Sequence, residues 1–491
     1  MSSVYDAAIK TPLEKAQKLS VQNGCQVYLK REDLQPVHSF KIRGAYNKIS
    51  SLTEAEKAKG VICASAGNHA QGVALSAQKL GISALIVMPR TTPQIKVDAV
   101  IGYGGQVVLQ GDNYTEAFDH CQSLIAESGR VFIHPFDDPL VIEGQGTIGQ
   151  EILDQNPDVT HIFVCTGGGG MLAGISKYVK NIRPEVKIIS VEPTDSNAMQ
   201  ASIQANKRVM LDHVGIFADG VAVKQVGENT FNICKQYVDD FITVNIDQMC
   251  ASIKSIFEDT RSIVEPAGAL GVAGVCNYNL PKNAVAVAIC SGANMSFERL
   301  QFIAERTLLG SGREAIFAVT LPEKPGALQA FCTDIVNGNN ITEFNYRLNK
   351  RDAAHIFVGI NISSAQDKAK IIQKMDTNGY KYVDLSDDEI AKEHIRHMIG
   401  GPSPEAKNEQ IYSVNFPERP GALSDFLLSI TEMNCNISLF HYRGQGADQG
   451  QVLIGFENPH ERLTDKLRSK TNYTIEPSDS FAIELFINKT A

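Results

Sequence analysis

Up to about residue 310 the chain alternates short unbroken apolar runs with longer stretches in which apolar residues recur every three or four positions. Val61 to Ala64 precedes a helical pattern from about 69, and Ala84 to Met88 precedes another from about 93. His161 to Cys165, Lys187 to Val191 and Ala284 to Cys290 are continuous apolar runs, as strands covered on both faces require. This rhythm predicts an α/β unit built on parallel sheets. Ligands in such sheets sit at the carboxyl ends of strands.

After Arg299 the rhythm changes. A charged helical stretch, Glu298 to Gly310, leads to a linker at Ser311-Gly312-Arg313, and beyond it the sequence repeats itself. Pro322-Glu323-Lys324-Pro325-Gly326-Ala327-Leu328 returns as Pro417-Glu418-Arg419-Pro420-Gly421-Ala422-Leu423. Asn340 to Arg347 returns as Asn436 to Arg443. The offsets, 95 and 96, differ by one, which marks a tandem duplication with a small indel. Each copy reads strand, Pro-Gly loop, helix, strand, strand, helix, strand: the ferredoxin-like βαββαβ order. Two copies are too few for a solenoid, so a compact pair is expected. The boundaries read as 1–313 for the first unit, with a linker helix at about 298–313, then 314–386 and 410–485 for the repeats.

Composition narrows the function classes. The 491 residues exceed one ordinary core, and 43% apolar content fits a folded protein. A net charge of -9 offers no basic footprint for nucleic acid or an anionic membrane surface. No apolar run approaches the roughly 20 residues that span a bilayer. The start, Met1 to Asp6, lacks the order of a signal peptide, and the ten cysteines form no C-x-x-C pair. Both facts predict a cytoplasmic protein with reduced, buried thiols. The 11 histidines show no zinc spacing, and Asp384 to Glu389 is too short for a calcium loop, so no metal is expected.

Four segments carry chemistry. Ser39-Phe40-Lys41-Ile42-Arg43-Gly44-Ala45 places an amine in a small, apolar setting of the kind that favours a neutral, nucleophilic lysine. Phe40 suits the face of a ring, and Ser39 suits nearby proton transfer. Ser65, Ala66, Gly67, Asn68 and His69 join a strand to a helix N-terminus, whose free N–H groups suit an amino-acid carboxylate. Asn68 also suits a ring hydroxyl; capping by Ser65 or Asn68 is compatible with both roles. Thr166-Gly167-Gly168-Gly169-Gly170-Met171 follows a strand and opens a helix, a cup of backbone N–H groups for phosphate. Ser291, in Ser291-Gly292-Ala293-Asn294, offers a hydroxyl to a ring nitrogen. Amine, carboxylate cradle, phosphate cup and hydroxyl together read as a pyridoxal 5'-phosphate site. The glycine segment alone also satisfies the dinucleotide fingerprint, with Glu192 about where a ribose-binding acid belongs. The other three segments argue against that alternative.

On these residues, above all S-F-K-I-R-G-A and A-S-A-G-N-H-A-Q-G, the chain resembles the biosynthetic threonine deaminases (threonine ammonia-lyases) of the tryptophan-synthase-β-like pyridoxal-phosphate family over nearly its whole length. The resemblance implies a fold-type II catalytic domain of two parallel-sheet α/β lobes followed by two ACT-like regulatory repeats. It implies Lys41 as Schiff-base lysine, Asn68 on the ring hydroxyl, Gly167, Gly168, Gly169, Gly170 and Met171 on the phosphate, and Ser291 on the ring nitrogen. It implies isoleucine and valine as effectors and a homotetramer. Some serine-handling relatives bind a divalent cation through a carboxylate just upstream of an A-D-G-V segment. Here Gly215-Ile216-Phe217 precede Ala218-Asp219-Gly220-Val221, so that site is not carried over.

The expected reaction is elimination from L-threonine, with L-serine left open as a second substrate. The carboxylate rests on Ser65 to His69, the Lys41 amine removes the α-proton, and the β-hydroxyl leaves with the cofactor phosphate as acid, giving 2-oxobutanoate and ammonia. A hydroxyl at the ring nitrogen, where many such enzymes place an acid, makes a weaker electron sink and suits prompt β-elimination. Rival readings are a serine racemase, a β-replacement synthase, and a non-catalytic amino-acid sensor. In the repeats, Pro325, Gly326, Pro420 and Gly421 offer backbone groups to an effector's charged ends, and Tyr346 and Tyr442 occupy equivalent places suited to its side chain or to packing between repeats.

Overall fold

The computed structural model describes residues 3–322, 327–336, 339–346, 353–397, 408–417, 436–443, 449–457, 459, 464–465, 467, 473–478 and 480–487. It divides into two compact units, the first running to Ala304 and the second starting at Glu305.

The first unit holds two sheets. One runs Leu13–Lys15, Gln26–Arg31, Val285–Cys290, His161–Cys165, Lys187–Pro193, Asp240–Val244, all parallel except the first strand. The other, of four parallel strands, runs Gln106–Leu109, Ala84–Met88, Val61–Ala64, Val131–Phe132. The apolar runs in the sequence are the central strands: Val285–Cys290 and Val61–Ala64 are buried at every position, because helices cover both faces. Helices start where side chains can take up their free N–H groups. Thr53 and Asn245 make capping boxes for Glu54–Lys59 and Ile246–Thr260, and Asp138 caps Pro139–Gln155 with proline in the first turn.

In the second unit each copy builds a four-stranded antiparallel sheet of one topology. Ile341–Tyr346, Ala353–Asn361, Glu314–Pro322, Lys381–Asp384 is the order in the first copy. Asn436–Arg443, Gln449–Glu457, Gln410–Pro417, Thr474–Pro477 is the order in the second. The register shift in each second strand falls at the same place, between Ile341 and Glu343 and between Ile437 and Leu439. The copies share a core in which Ile316, Phe357 and Leu385 of one meet Ile411, Leu453 and Ile483 of the other.

The division into units falls inside the helix Arg299–Gly310, ahead of the Ser311–Arg313 turn. Leu309, near the end of that helix, packs on the apolar core of the second unit, and ion pairs act with it. Arg306 is buried and pairs with Glu389 at 2.6 Å and Glu393 at 3.6 Å, and Glu305 meets His397, so the second half of the helix is held by the second unit. Asp388, within the acidic run at 384–389, caps Glu389–Glu393 by accepting from the Ala391 N–H.

Candidate active site

One cavity in the first unit is lined by Phe40, Lys41, Asn68, Gly167–Gly170, Met171 and Ser291. Lys41 opens the helix Lys41–Ser50, and its Nζ donates to the Pro135 carbonyl at 2.9 Å. Burial brings its amine down from 10.5 to about 8, against the pull of Cys165 and Glu265. The Pro135 carbonyl is presented by a tight turn in which His134 Nδ1 accepts from the N–H groups of Phe136 and Asp137. The same turn buttresses the glycine cup. A Cβ at Gly168 would collide with the Phe136 ring, one at Gly170 would lie 3.0 Å from the Phe136 carbonyl oxygen, and one at Gly167 2.8 Å from Val221 Cα. Gly169 has φ +93°, which favours glycine on its own account, and the helix Gly170–Ile182 begins directly after it. The cup therefore needs glycine for its walls as well as for the ligand's approach.

Asn68 begins the helix Asn68–Lys79. Its Nδ2 donates to Glu265 at 2.6 Å, and its Oδ1 accepts from Asn294 Nδ2 at 2.6 Å. The second Nδ2 hydrogen is left for a ligand. Ser65, Ala66 and Gly67 stand half-buried on the loop just before it. Neither they nor His69 line the cavity. Burial, helped by Lys41, lowers His69 to about 3, so its ring is neutral, with Nε2 2.8 Å from the Ile133 carbonyl. Ser39 also lies off the cavity: it is buried, forms a strand-like bridge with Gly292, and its Oγ has no partner among the described residues. Ser291 Oγ faces the cavity near the Ala267 carbonyl at 3.4 Å.

Three features were not read from the sequence. Glu265 lines the cavity, and burial, with the nearby Asp219 charge, pushes its carboxyl up to about 7. Asp219 itself is held below the usual carboxylate range: burial would raise it, but Lys96 at 2.6 Å and Arg299 at 3.6 Å prevail. Beneath Lys41 lies a fully buried charge cluster. Arg43 donates to Glu32 through Nε at 2.7 Å and to Glu151 through Nη1 at 2.7 Å, and Lys30 pairs with Glu151 at 2.6 Å. Two cations and two carboxylates balance, which is what permits their burial. The only local signals were an arginine two residues from Lys41 and a glutamate before Pro266.

Glu192 settles the dinucleotide alternative. It is fully buried, and its two oxygens accept from the N–H groups of Met199 and Gln200 at 2.8 Å each, capping the helix Ala198–Gln204. A carboxylate so engaged is out of reach of a ribose. Of the regulatory positions, Pro325, Gly326, Pro420 and Gly421 lie outside the described residues. Tyr346 and Tyr442 stand opposite Ile356 and Val452 in their sheets, at corresponding strand positions.

The arrangement fits pyridoxal phosphate. A nucleophilic amine, a glycine cradle at a helix N-terminus and a neutral hydroxyl face one space between two parallel-sheet lobes, and that combination defines an α/β enzyme of the pyridoxal-phosphate class. Comparison with known proteins narrows this. Residues 4–292 match the model of the pyridoxal-phosphate-dependent enzymes, and residues 305–395 and 401–485 match the C-terminal regulatory domain of threonine dehydratase. The second match starts at Glu305, where the second compact unit starts. The chain thus belongs to the pyridoxal-phosphate-dependent enzyme family, in the branch that carries the threonine dehydratase regulatory domain. It is 51% identical to the biosynthetic L-threonine dehydratase of Burkholderia multivorans, over 99% of this chain and 97% of that one. Among solved structures, the processed form of threonine deaminase isoform 2 from Solanum lycopersicum is 50% identical with a TM-score of 0.61, covering 62% of this chain and 90% of that one. Maize serine racemase is 31% identical with a TM-score of 0.59, covering 62% and 94%.

Among the described residues no helix is long and apolar enough to cross a membrane.

Proposed function

We propose that the chain dehydrates and deaminates L-threonine to 2-oxobutanoate and ammonia, as a controlled step of isoleucine synthesis inhibited by isoleucine. The observation that carries this reading is the convergence of Lys41, Asn68, the glycine cup and Ser291 on one cavity in a chain that also bears the duplicated regulatory unit. Likeness to the biosynthetic threonine dehydratases along almost the whole chain supports the substrate. The reading extends to a cytoplasmic homotetramer with isoleucine and valine as effectors and L-serine as a second substrate.

Pyridoxal phosphate, when bound, supplies the electron sink for charge developing at the substrate α-carbon. The chain's own groups do the rest. Gly167 to Met171 would hold its phosphate through backbone N–H groups, Phe40 would flank its ring, and Asn68 would take its ring hydroxyl. The Ser65–His69 loop, which adjoins the cavity through Asn68, orients the substrate carboxylate. Lys41, with its amine brought down to about 8, has a sizeable neutral fraction near neutral pH and takes the α-proton; the Pro135 carbonyl fixes where the amine waits. Ser291 presents a neutral hydroxyl where an acid would hold the ring nitrogen protonated, which favours loss of the β-hydroxyl over slower outcomes.

A product assay tests this. L-threonine should yield 2-oxobutanoate and ammonia in equal amounts, faster than L-serine yields pyruvate. Predominant formation of D-serine from L-serine, or of a thioether from L-serine plus a thiol, would replace this reading with the racemase or the synthase. A protein without cofactor absorbance would be the sensor.

A further inference from the structure

Gln145 is a polar side chain at this site with no part in the proposed reaction. It lies in the helix Pro139–Gln155, is 1% exposed, and lines the cavity. Neither Nε2 nor Oε1 has a hydrogen-bond partner among the described residues. Buried amides are almost always paired, so one orphaned at both ends beside a ligand cavity points to the ligand.

Its position says which part of the ligand. The amide nitrogen presses on Gly44, where any Cβ would collide with it, and Gly44 lies one turn beyond Lys41. The Gln145 backbone abuts Gly174, one turn beyond Gly170, with its carbonyl carbon 3.1 Å from where a Cβ would stand. Gln145 therefore forms the floor between the amine and the phosphate cup, away from the carboxylate loop at 65–67. Glycine at 44 clears the space for the amide, and glycine at 174 lets the helix that bears it pack close. Resting on the cofactor assignment, we infer that Gln145 is a cofactor-binding residue whose amide hydrogen-bonds the pyridoxal phosphate ester. A phosphate monoester matches both ends of an amide. The dianion accepts from Nε2, and the hydroxyl of the monoanion, present below a pKa of about 6, donates to Oε1. The backbone cup, donors only, cannot make the second contact.

The test uses the full-length enzyme stripped of cofactor and titrated with pyridoxal phosphate and, separately, with pyridoxal, followed by visible absorbance. Gln145→Leu keeps the volume and removes the hydrogen bonds. It should weaken pyridoxal phosphate binding about 10- to 100-fold, as for a hydrogen bond to a charged group, and leave pyridoxal within about twofold. The 31P resonance of the bound cofactor should move in the variant. Gln145→Glu should lose more still, again only for the phosphorylated ligand, through like-charge repulsion. Equal losses for both ligands would mean that the amide supports the fold around Lys41, and unchanged affinity with an unmoved 31P signal would exclude the contact; either result overturns the proposal. If Gln145→Leu does not fold, Gln145→Asn, a shorter amide, decides by the same ratio. Failure of the native protein to develop cofactor absorbance would be a different result, refuting the cofactor reading itself.

Discussion

Replacing Arg43 by methionine is the sharpest test of what holds Lys41 in place. Arg43 is fully buried and donates four charge-assisted bonds: to Glu32 through Nε and Nη2, at 2.7 and 2.8 Å, and to Glu151 through Nη1 and Nη2, at 2.7 and 3.0 Å. Methionine fills part of the volume and leaves Lys30 alone against two carboxylates. One buried negative charge is then uncompensated, a change that costs about 3–5 kcal/mol. The deficit should show as a lower urea midpoint for the catalytic unit's transition at pH 8. The sign with pH follows from the carboxylates. In the native protein Arg43 and Lys30 outweigh burial and hold Glu151 below its usual range, so its stabilising contribution is present above the ordinary carboxylate pKa and is lost as pH falls. In the variant the unpaired carboxylate prefers its proton, so the gap between variant and native should narrow as pH falls from 8 to 5. Adding Glu151→Gln to Arg43→Met restores neutrality and should recover part of the loss. Arg43→Lys keeps the charge but cannot span both carboxylates, and should fall between. A variant within 1 kcal/mol of native at pH 8, or a deficit that grows on acidification, would show that the cluster does not anchor the lysine helix.

Four further outcomes follow from the site and the tail. Lys41→Ala should abolish turnover with the fold intact by circular dichroism, and borohydride should fix the cofactor to the native peptide containing Lys41; label on another lysine would refute the assignment. In the cofactor-free native enzyme, because burial lowers the Lys41 amine, uptake of pyridoxal phosphate should speed up as pH rises through about 8, whereas a midpoint near 10.5 would mean an ordinary surface amine. Ser291→Asp should slow elimination relative to racemisation or transamination, read as product partitioning from threonine; an unchanged ratio with normal cofactor binding would remove Ser291 from the electronics. A chain ending at Ala304, where the first unit ends, should keep some activity if it stays folded and lose inhibition by isoleucine, a coupling of about 1–3 kcal/mol between sites; full-strength inhibition without the tail would place the effector at the catalytic cavity.

What the sequence determined by itself is whatever a short window can express. Strands at 61–64, 161–165 and 285–290 announce themselves because burial on both faces demands uninterrupted apolar residues. The glycine cup and the helix opening at Asn68 are legible because each depends on neighbours within a few positions. The duplication predicts two like folds, and both sheets share one strand order. Tertiary structure alone decided the rest. Glu192 matched a ribose-binding acid in one dimension and proved to be a helix cap, because the helix at 198 folds back over the strand that bears it. Glu265 looked like a residue before a proline and stands on Asn68, 197 positions away. Arg43 and Lys30 meet Glu151 across 108 and 121 positions, and Gln145 reaches the cavity because Gly44 clears the space and Gly174 lets its helix pack close. A buried charge or amide is stable only with partners, and no local pattern records partners so distant in the chain. Their identities are set by how the helices stack on the sheets, after the local elements have formed.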